Sequence, residues 1–385
     1  MTQAALRQTP FHEALAALNH ACAWERWQGY ATVNHFYDVA QEYAAIRNAA
    51  SLYDLSPMVK YRVSGADAAR LINRVLTRDI DRCRPGRCFY APWCDGDGMI
   101  IEDGTIFRFA PDEFQINCGE HNLTWFLASA EGLDVRVEDV SDDIAALSVQ
   151  GPLSRELLLK AGLGGVADLR FFGLLRTQLD AMPVTVTRTG FTGDLGYELW
   201  MSPEHALAVW QRLMAAGRTR GVTPIGSAAL DIARIEAGHI QVNSEYRDAR
   251  KTVDLSERRS PLELGLEWAV DFRKPHFNGR RALQEQQARG GPALRLVGLE
   301  ITGRRPAVDS VLYAGRRAVG QTTAATWSPI LKKSIALALV EADYAKPDQR
   351  LDAEIYHRRE VWLQRREAVA RVVPHRFFDP PRKRS

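Results

Sequence analysis

The sequence holds no apolar run approaching the roughly 18 residues that a helix needs to cross a bilayer. Its start, MTQAALRQTPFHEALAAL, lacks the basic segment followed by an apolar stretch that marks a secretory leader. These absences lead us to expect a soluble, cytoplasmic protein with no membrane partner. Cysteine is scarce: five residues in 385, an odd number, argue against a disulfide framework. Cys83, Cys88 and Cys94 lie close together, but their intervals match neither a C-x-x-C pair nor a ferredoxin run, so no metal is expected. Net charge is also small, +3, which gives no strong field for nucleic acid, and no basic stripe interleaves with aromatics. The local basic excess, Pro380-Pro-Arg-Lys-Arg-Ser385, reads as a solvated tail.

What is present is the composition of a globular protein: 46% apolar and 25% charged residues are enough to bury a substantial core. The length predicts two or three domains. Residues 10–50 read as helical, because Tyr37 to Asn48 repeats apolar positions at helical spacing. The period then falls to two in Leu52–Ser56 and Val59–Ser64, and a helix follows Gly65. Asp95-Gly-Asp-Gly98 predicts a turn between strands that run through Cys88 and Phe109. A strand over Glu113–Asn117 precedes a helix near Leu123–Ala128. A second unit then runs from the strand Ala145–Pro152 through a helix over Leu153–Lys160 to the strand Val184–Thr189. Helices are predicted over His205–Ala216 and Ala228–Ala237, and short strands over Leu296–Ile301, Val311–Val319 and Ile335–Val340. The Gly290-Gly291-Pro292 break divides the chain into 1–290 and 291–385. Strands and helices in mixed order without regular alternation give an α+β class.

The stretch Thr189-Gly-Phe-Thr-Gly-Asp-Leu-Gly-Tyr-Glu198 carries the strongest local signal. Spaced glycines can cradle a phosphate, but this stretch has no Gly-Lys-Ser/Thr ending and leads into a strand, not a helix. Two readings remain at this point. One is a glycine-rich turn between strands; the other is a loop whose glycines admit a flat ligand while the Glu198 carboxylate accepts from its N–H groups.

TGFTGDLGYE resembles the T-G-Y-T-G-E-x-G-Y-E signature of the aminomethyltransferase family, the glycine cleavage T-protein and its relatives. Leu52-Tyr-Asp-Leu-Ser56, Met99-Ile-Ile-Glu-Asp103, Val149-Gln-Gly-Pro152, Arg234-Ile-Glu-Ala-Gly238, Phe277-Asn-Gly-Arg280 and Ser328-Pro-Ile-Leu-Lys-Lys333 resemble further family motifs in the same order. The resemblance implies three domains around a central folate cavity, the last a C-terminal β-barrel, with tetrahydrofolate as acceptor of a one-carbon unit. By match to the motifs, Asp103 is the catalytic acid facing N5, and Glu198 binds the pterin. Asn117, Phe172, Tyr197 and Arg234 are further cofactor-binding candidates. Phe172 and Trp200 otherwise serve as core, and Arg234 and Glu236, two apart on a helix, otherwise pair internally. The residue types suit the chemistry: N5 becomes cationic as it attacks carbon and must lose a proton, and a carboxylate accepts it.

Two departures bear on which member of the family this resembles. Ser56-Pro-Met58-Val-Lys60 is similar to the S-x-x-x-K form of folate-dependent demethylases, and Val242-Asn-Ser-Glu-Tyr246 lacks the T-protein's G-Q-E/D. No G-x-G-x-x-G flavin domain precedes the module. The expectation is therefore a demethylase that moves a methyl group from a small O-, S- or N-methyl donor to tetrahydrofolate, with Tyr37, Lys60, Tyr90 and Trp93 as donor contacts. The alternatives are a true T-protein, which takes its one-carbon unit from an aminomethyl-lipoyl carrier, and a non-catalytic folate-binding relative.

Overall fold

A computed structural model describes residues 5–359 and 362–385 of the chain, so part of the N-terminal stretch read above lies outside the described residues. Two antiparallel-rich sheets and a closed barrel make up an α+β fold. The first sheet orders Leu174–Leu179, Met182–Thr187, Gly196–Met201, Ala145–Gln150, Ser51–Asp54 and Thr223–Pro224, with only the last pair parallel. The second orders Arg87–Cys94, Ile100–Ala110, Glu113–Cys118, Val59–Ser64 and Arg136–Asp139. Six strands between Leu294 and Val373 close the barrel, as period-two text after residue 294 predicts.

Helices cover one face of each sheet because their apolar positions recur on one side. In Ala206–Gly217 the residues Ala206, Val209, Trp210, Leu213 and Ala216 are all buried at helical spacing, against Leu147, Tyr197 and Leu199 of the first sheet. Each large side chain buried this way stabilises the fold by about 1.5–3 kcal/mol. Ala68–Val75 does the same for the second sheet, where Leu71, Ile72 and Val75 meet Tyr61, Trp93 and Phe114. The helix Ser227–Ala237 ends at Gly238, whose φ of 68° is the left-handed cap that glycine adopts without strain.

Three expectations are corrected. Between the helices His12–Leu18 and Val39–Asn48 lies a hairpin, Ala23–Trp27 with Tyr30–His35. Its strands carry Trp24, Trp27, Tyr30 and Val33, and its two-residue turn, Gln28-Gly29, has positive φ at both positions (48° and 81°), the twist that suits a tight hairpin. The single strand expected over Val311–Val319 is two, Val311–Ala314 and Arg317–Ser328, separated by a turn at Gly315 with φ of 62°.

The tail is the third correction, because it is docked onto the loop 189–195. Arg382 donates twice to the buried Asp194 carboxylate, at 2.6 and 2.8 Å. Phe377 and Phe378 N–H groups donate to the Glu236 carbonyl. The Ser385 carbonyl accepts from Arg155 at 2.8 Å and from Arg188.

Candidate active site

The two sheets are joined edge to edge. Cys88 N–H donates to the Phe172 carbonyl and Leu174 N–H to the Gly86 carbonyl, so the edge strand Arg87–Cys94 continues into the segment before Leu174–Leu179. Phe172 takes φ of 58° to make this connection, a left-handed conformation that costs a non-glycine residue strain and that surrounding contacts must hold. Its ring packs, half-buried, against the apolar cluster that holds Tyr53, Cys88, Phe107 and Trp200.

Strand alternation decides which side chains face this seam. On Ile100–Ala110 the residues Asp103, Thr105 and Phe107 share one face, and the antiparallel register adds Cys88, Tyr90, Asn117 and Lys60 to it. On Gly196–Met201, Tyr197 and Leu199 enter the helix-covered core, whereas Glu198 and Trp200 turn the other way. The Trp200 ring meets Phe107 at 5.1 Å in an edge-on contact. The faces bearing Asp103 and Glu198 therefore confront each other, with Asp103 roughly 13 Å along its strand from that contact and Glu198 roughly 7 Å along its own.

Glu198 is buried and Asp103 half-buried, and neither forms an ion pair among the described residues. Glu198 Oε2 accepts from Thr189 Oγ1 at 2.7 Å and weakly from Thr187 Oγ1 at 3.5 Å, and no protein hydrogen bond reaches Oε1 among the described residues. Burial pushes its carboxyl up to about 7, against the pull of the Thr189 and Thr187 hydroxyls. Asp103 is likewise pushed up to about 6 by burial, while the hydroxyls of Tyr246 and Tyr90 hold it down. Tyr246 comes from the loop after helix Ser227–Ala237 and was not legible as a site residue. Its hydroxyl donates to Asp103 Oδ1 and lies 2.9 Å from Glu102 Oε1.

The other sequence candidates fall into groups. Tyr90 joins Asp103, and Asn117 shares its face but is tied to Gln115 and the Thr105 carbonyl. Lys60 also lies on that face, but its ammonium donates to the Ser56 and Ser141 carbonyls, and burial lowers it to about 8. Trp93 is placed elsewhere: it stands on the opposite face, fully buried in the core with Phe126. Tyr197 is also turned away, its hydroxyl accepting from Arg155 at 2.9 Å. Tyr37 is half-exposed beside Thr223, at the sheet edge farthest from the seam. Arg234 binds Asp231, Glu245, Ser244 and the His239 carbonyl, so four of its five N–H donors are taken and it braces the loop that delivers Tyr246. Glu236 pairs internally with Arg47, Tyr43 and Ser328.

The loop glycines also have a different reason from ligand approach. A Cβ on Gly190 or on Gly196 would lie 2.0 Å from Gln150 Oε1, and one on Gly193 would lie 2.5 Å from Ala237. Gln150 fills that space to bind the Thr189 and Tyr197 carbonyls and the Thr192 hydroxyl. The glycines therefore admit Gln150 and helix Ser227–Ala237, and the loop is rigid behind Glu198.

Comparison with known proteins gives the family. Residues 9–274 match the GCVT N-terminal domain, and residues 295–379 match the glycine cleavage T-protein C-terminal barrel domain. The chain is 31% identical over 382 residues to an aminomethyltransferase of Desulfitobacterium hafniense, covering 97% of this chain and 98% of that one. It is 32% identical over 357 residues to an aminomethyltransferase of Clostridium botulinum, covering 91% and 92%. The crystal structure of glycine cleavage system aminomethyltransferase T from Bartonella henselae superposes with a TM-score of 0.85 at 23% identity, over 97% of this chain and 98% of that one, and so shares the fold. These relatives overturn the expectation of a demethylase acting on a small methylated donor. The two departures that suggested it serve the fold instead: Lys60 is committed to backbone carbonyls, and the Val242–Tyr246 segment keeps Glu245 on Arg234. The chain belongs to the aminomethyltransferase family of the glycine cleavage T-protein.

Proposed function

We propose that this chain transfers the one-carbon unit of an aminomethyl group to tetrahydrofolate, taking it from the sulfur of a lipoyl-bearing carrier protein and releasing ammonia. The observation that supports it most is the pair of carboxyls, Glu198 buried and Asp103 half-buried, on the two facing sides of one seam with no ion-pair partner among the described residues, in a chain whose relatives are named aminomethyltransferases along nearly their whole length. Tetrahydrofolate, the acceptor used in this family, would supply N5 and N10, the two nitrogens that bond to the transferred carbon as its bonds to the lipoyl sulfur and to the departing ammonia break. The residues fit it. Glu198 has an oxygen free of protein partners, and the adjacent N–H donors of a 2-amino-4-oxo pterin edge suit such a carboxylate.

Asp103 does the proton work. With its carboxyl at about 6 it is largely ionised near neutral pH and close enough to that pH to take a proton efficiently, so it stabilises positive charge at N5 and then removes the proton. Phe107 and Trp200, buried at the seam with Phe172 beside them, give it an apolar wall. Glu198, held from behind by Thr189 and the Gln150-braced loop, fixes the ligand's orientation.

The purified chain mixed with tetrahydrofolate and an aminomethyl-loaded lipoyl carrier should release ammonia in step with methylene-tetrahydrofolate. Asp103→Asn should slow that release by about 10²–10⁴-fold with the fold retained. Ammonia no faster than from a blank lacking the chain would defeat the reading.

A further inference from the structure

We infer that Tyr246 is a positioning residue for Asp103: its phenol links Asp103 to the neighbouring Glu102 in a chain of three oxygens, with Glu102 carrying the proton and Asp103 left ionised. The inference rests on the reading of Asp103 as proton acceptor and extends it to the group that sets its charge.

The contacts demand a shared proton. Tyr246 Oη lies 2.9 Å from Glu102 Oε1 and within hydrogen-bond reach of Asp103 Oδ1. A phenol has one proton to give, so it serves only one of these oxygens at a time. If both carboxyls were ionised, the second contact would set two electron-rich oxygens together with no hydrogen between them. One carboxyl must therefore be protonated and donate to Tyr246, which donates onward to the other.

Surroundings decide which one holds the proton. Glu102 is 1% exposed; its Oε1 also accepts from the Asp103 N–H at 3.2 Å, but its Oε2 has no hydrogen-bond partner among the described residues, so a charge there would be buried and half-unsatisfied. Asp103 accepts from the Tyr246 phenol, and the nearby Tyr90 hydroxyl draws its carboxyl further toward the charged form. The remaining groups agree. Glu245 and Glu120 add negative charge on the loop side and after strand Glu113–Cys118, and the buried Cys118 thiol adds no cation. Glu245 is itself matched by Arg234, and Arg78 lies against Tyr90, toward Trp268. Burial raises both carboxyls, Glu102 far more than Asp103, in keeping with this division.

The arrangement is supplied from a distance. Arg234 holds Glu245 and Ser244, and these place Tyr246 against a strand 143 residues earlier in the chain. Phenylalanine at 246 would remove one donor from ionised Asp103 and leave the Glu102 proton without an acceptor.

The test reads the Asp103 carboxyl directly. In the full chain carrying γ-13C aspartate, the Asp103 signal, identified by its loss in Asp103→Asn, is followed from pH 4 to pH 9. Tyr246→Phe should move its midpoint up by about one pH unit, roughly tenfold in proton affinity. The acid limb of the pH profile for aminomethyl transfer should move with it. A midpoint that stays in place or moves down overturns the proposal, even if activity falls, because loosened packing alone lowers rate without moving a titration. Glu102→Gln gives a second reading should Tyr246→Phe fail to fold. A neutral amide in place of a neutral acid leaves the Asp103 midpoint within about 0.3 unit, whereas a clear fall would mean that an ionised neighbour had been removed and would also overturn it. If the midpoint behaves as expected but no donor yields ammonia, the carboxyl pair stands and the aminomethyl reading falls.

Discussion

Glu198 combines two properties that usually oppose each other: burial, and no cation beside it among the described residues. Because its folded-state carboxyl is raised from 4.5 to about 7, the folded chain holds this proton more tightly than the unfolded chain does. Its contribution to stability is therefore present below about pH 4.5 and is lost as pH rises through about 7. A pterin that donates N–H groups prefers the ionised form, so binding should expel the proton and tighten as pH rises toward 7. Calorimetry at pH 6 in two buffers of different ionisation enthalpy should show proton release on folate binding. Glu198→Gln should abolish that release and weaken binding by about 1.5–3 kcal/mol, roughly 10- to 150-fold. Proton release that persists in the variant would assign the linked group elsewhere.

At the scale of single elements, the loop 189–195 shows why a glycine pattern is easier to detect than to explain. Gly196→Ala would press a Cβ onto Gln150, and overpacking of this kind should destabilise the chain by about 1–3 kcal/mol. In a Gln150→Ala background the same change should cost markedly less, and a double-mutant cycle by chemical denaturation measures the difference. Additive effects would mean that Gln150 is not the obstacle. The loop itself was legible because its flanking strands alternate and its glycines stand out. Their partner was not, since Gln150 lies about forty residues earlier and nothing local links them. Tyr246 escaped for the same reason. The hairpin over Ala23–His35 was missed because its aromatic strands lie between two helical patterns, and the period of the neighbours was extended across it. Trp93 and Tyr197 were misplaced by proximity in sequence: each lies near a site carboxylate, yet each belongs to the opposite face of its strand.

The whole molecule is tied together by charge as well as by packing. Asp194 is fully buried and lies between Arg382 of the tail and Arg47 of helix Val39–Asn48, while Arg47 also grips Glu236 and stacks on Phe378. Arg382→Ala should cost about 1–3 kcal/mol, because it removes two charge-assisted hydrogen bonds from a carboxylate that water cannot reach. A scan of thermal unfolding should show a midpoint lower by several degrees, while an unchanged midpoint would return the tail to the solvated state that composition suggested. Composition misleads here because a run of basic residues looks solvated unless the buried acid it meets, nearly two hundred positions away, is known.

The left-handed turn at Phe172 has a further consequence for how the chain avoids association. An antiparallel sheet ends in rows of unpaired N–H and C=O groups, and such edges template pairing with other chains. By bending back at Phe172, the backbone lays part of one sheet's edge against the other's and satisfies groups on both through Cys88 and Gly86. A fragment ending before residue 172 would leave the start of the strand Arg87–Cys94 without its partner on that edge, while the other edge stays paired with Ile100–Ala110. The same connection that brings the two carboxyl-bearing faces together also closes an open end of each sheet.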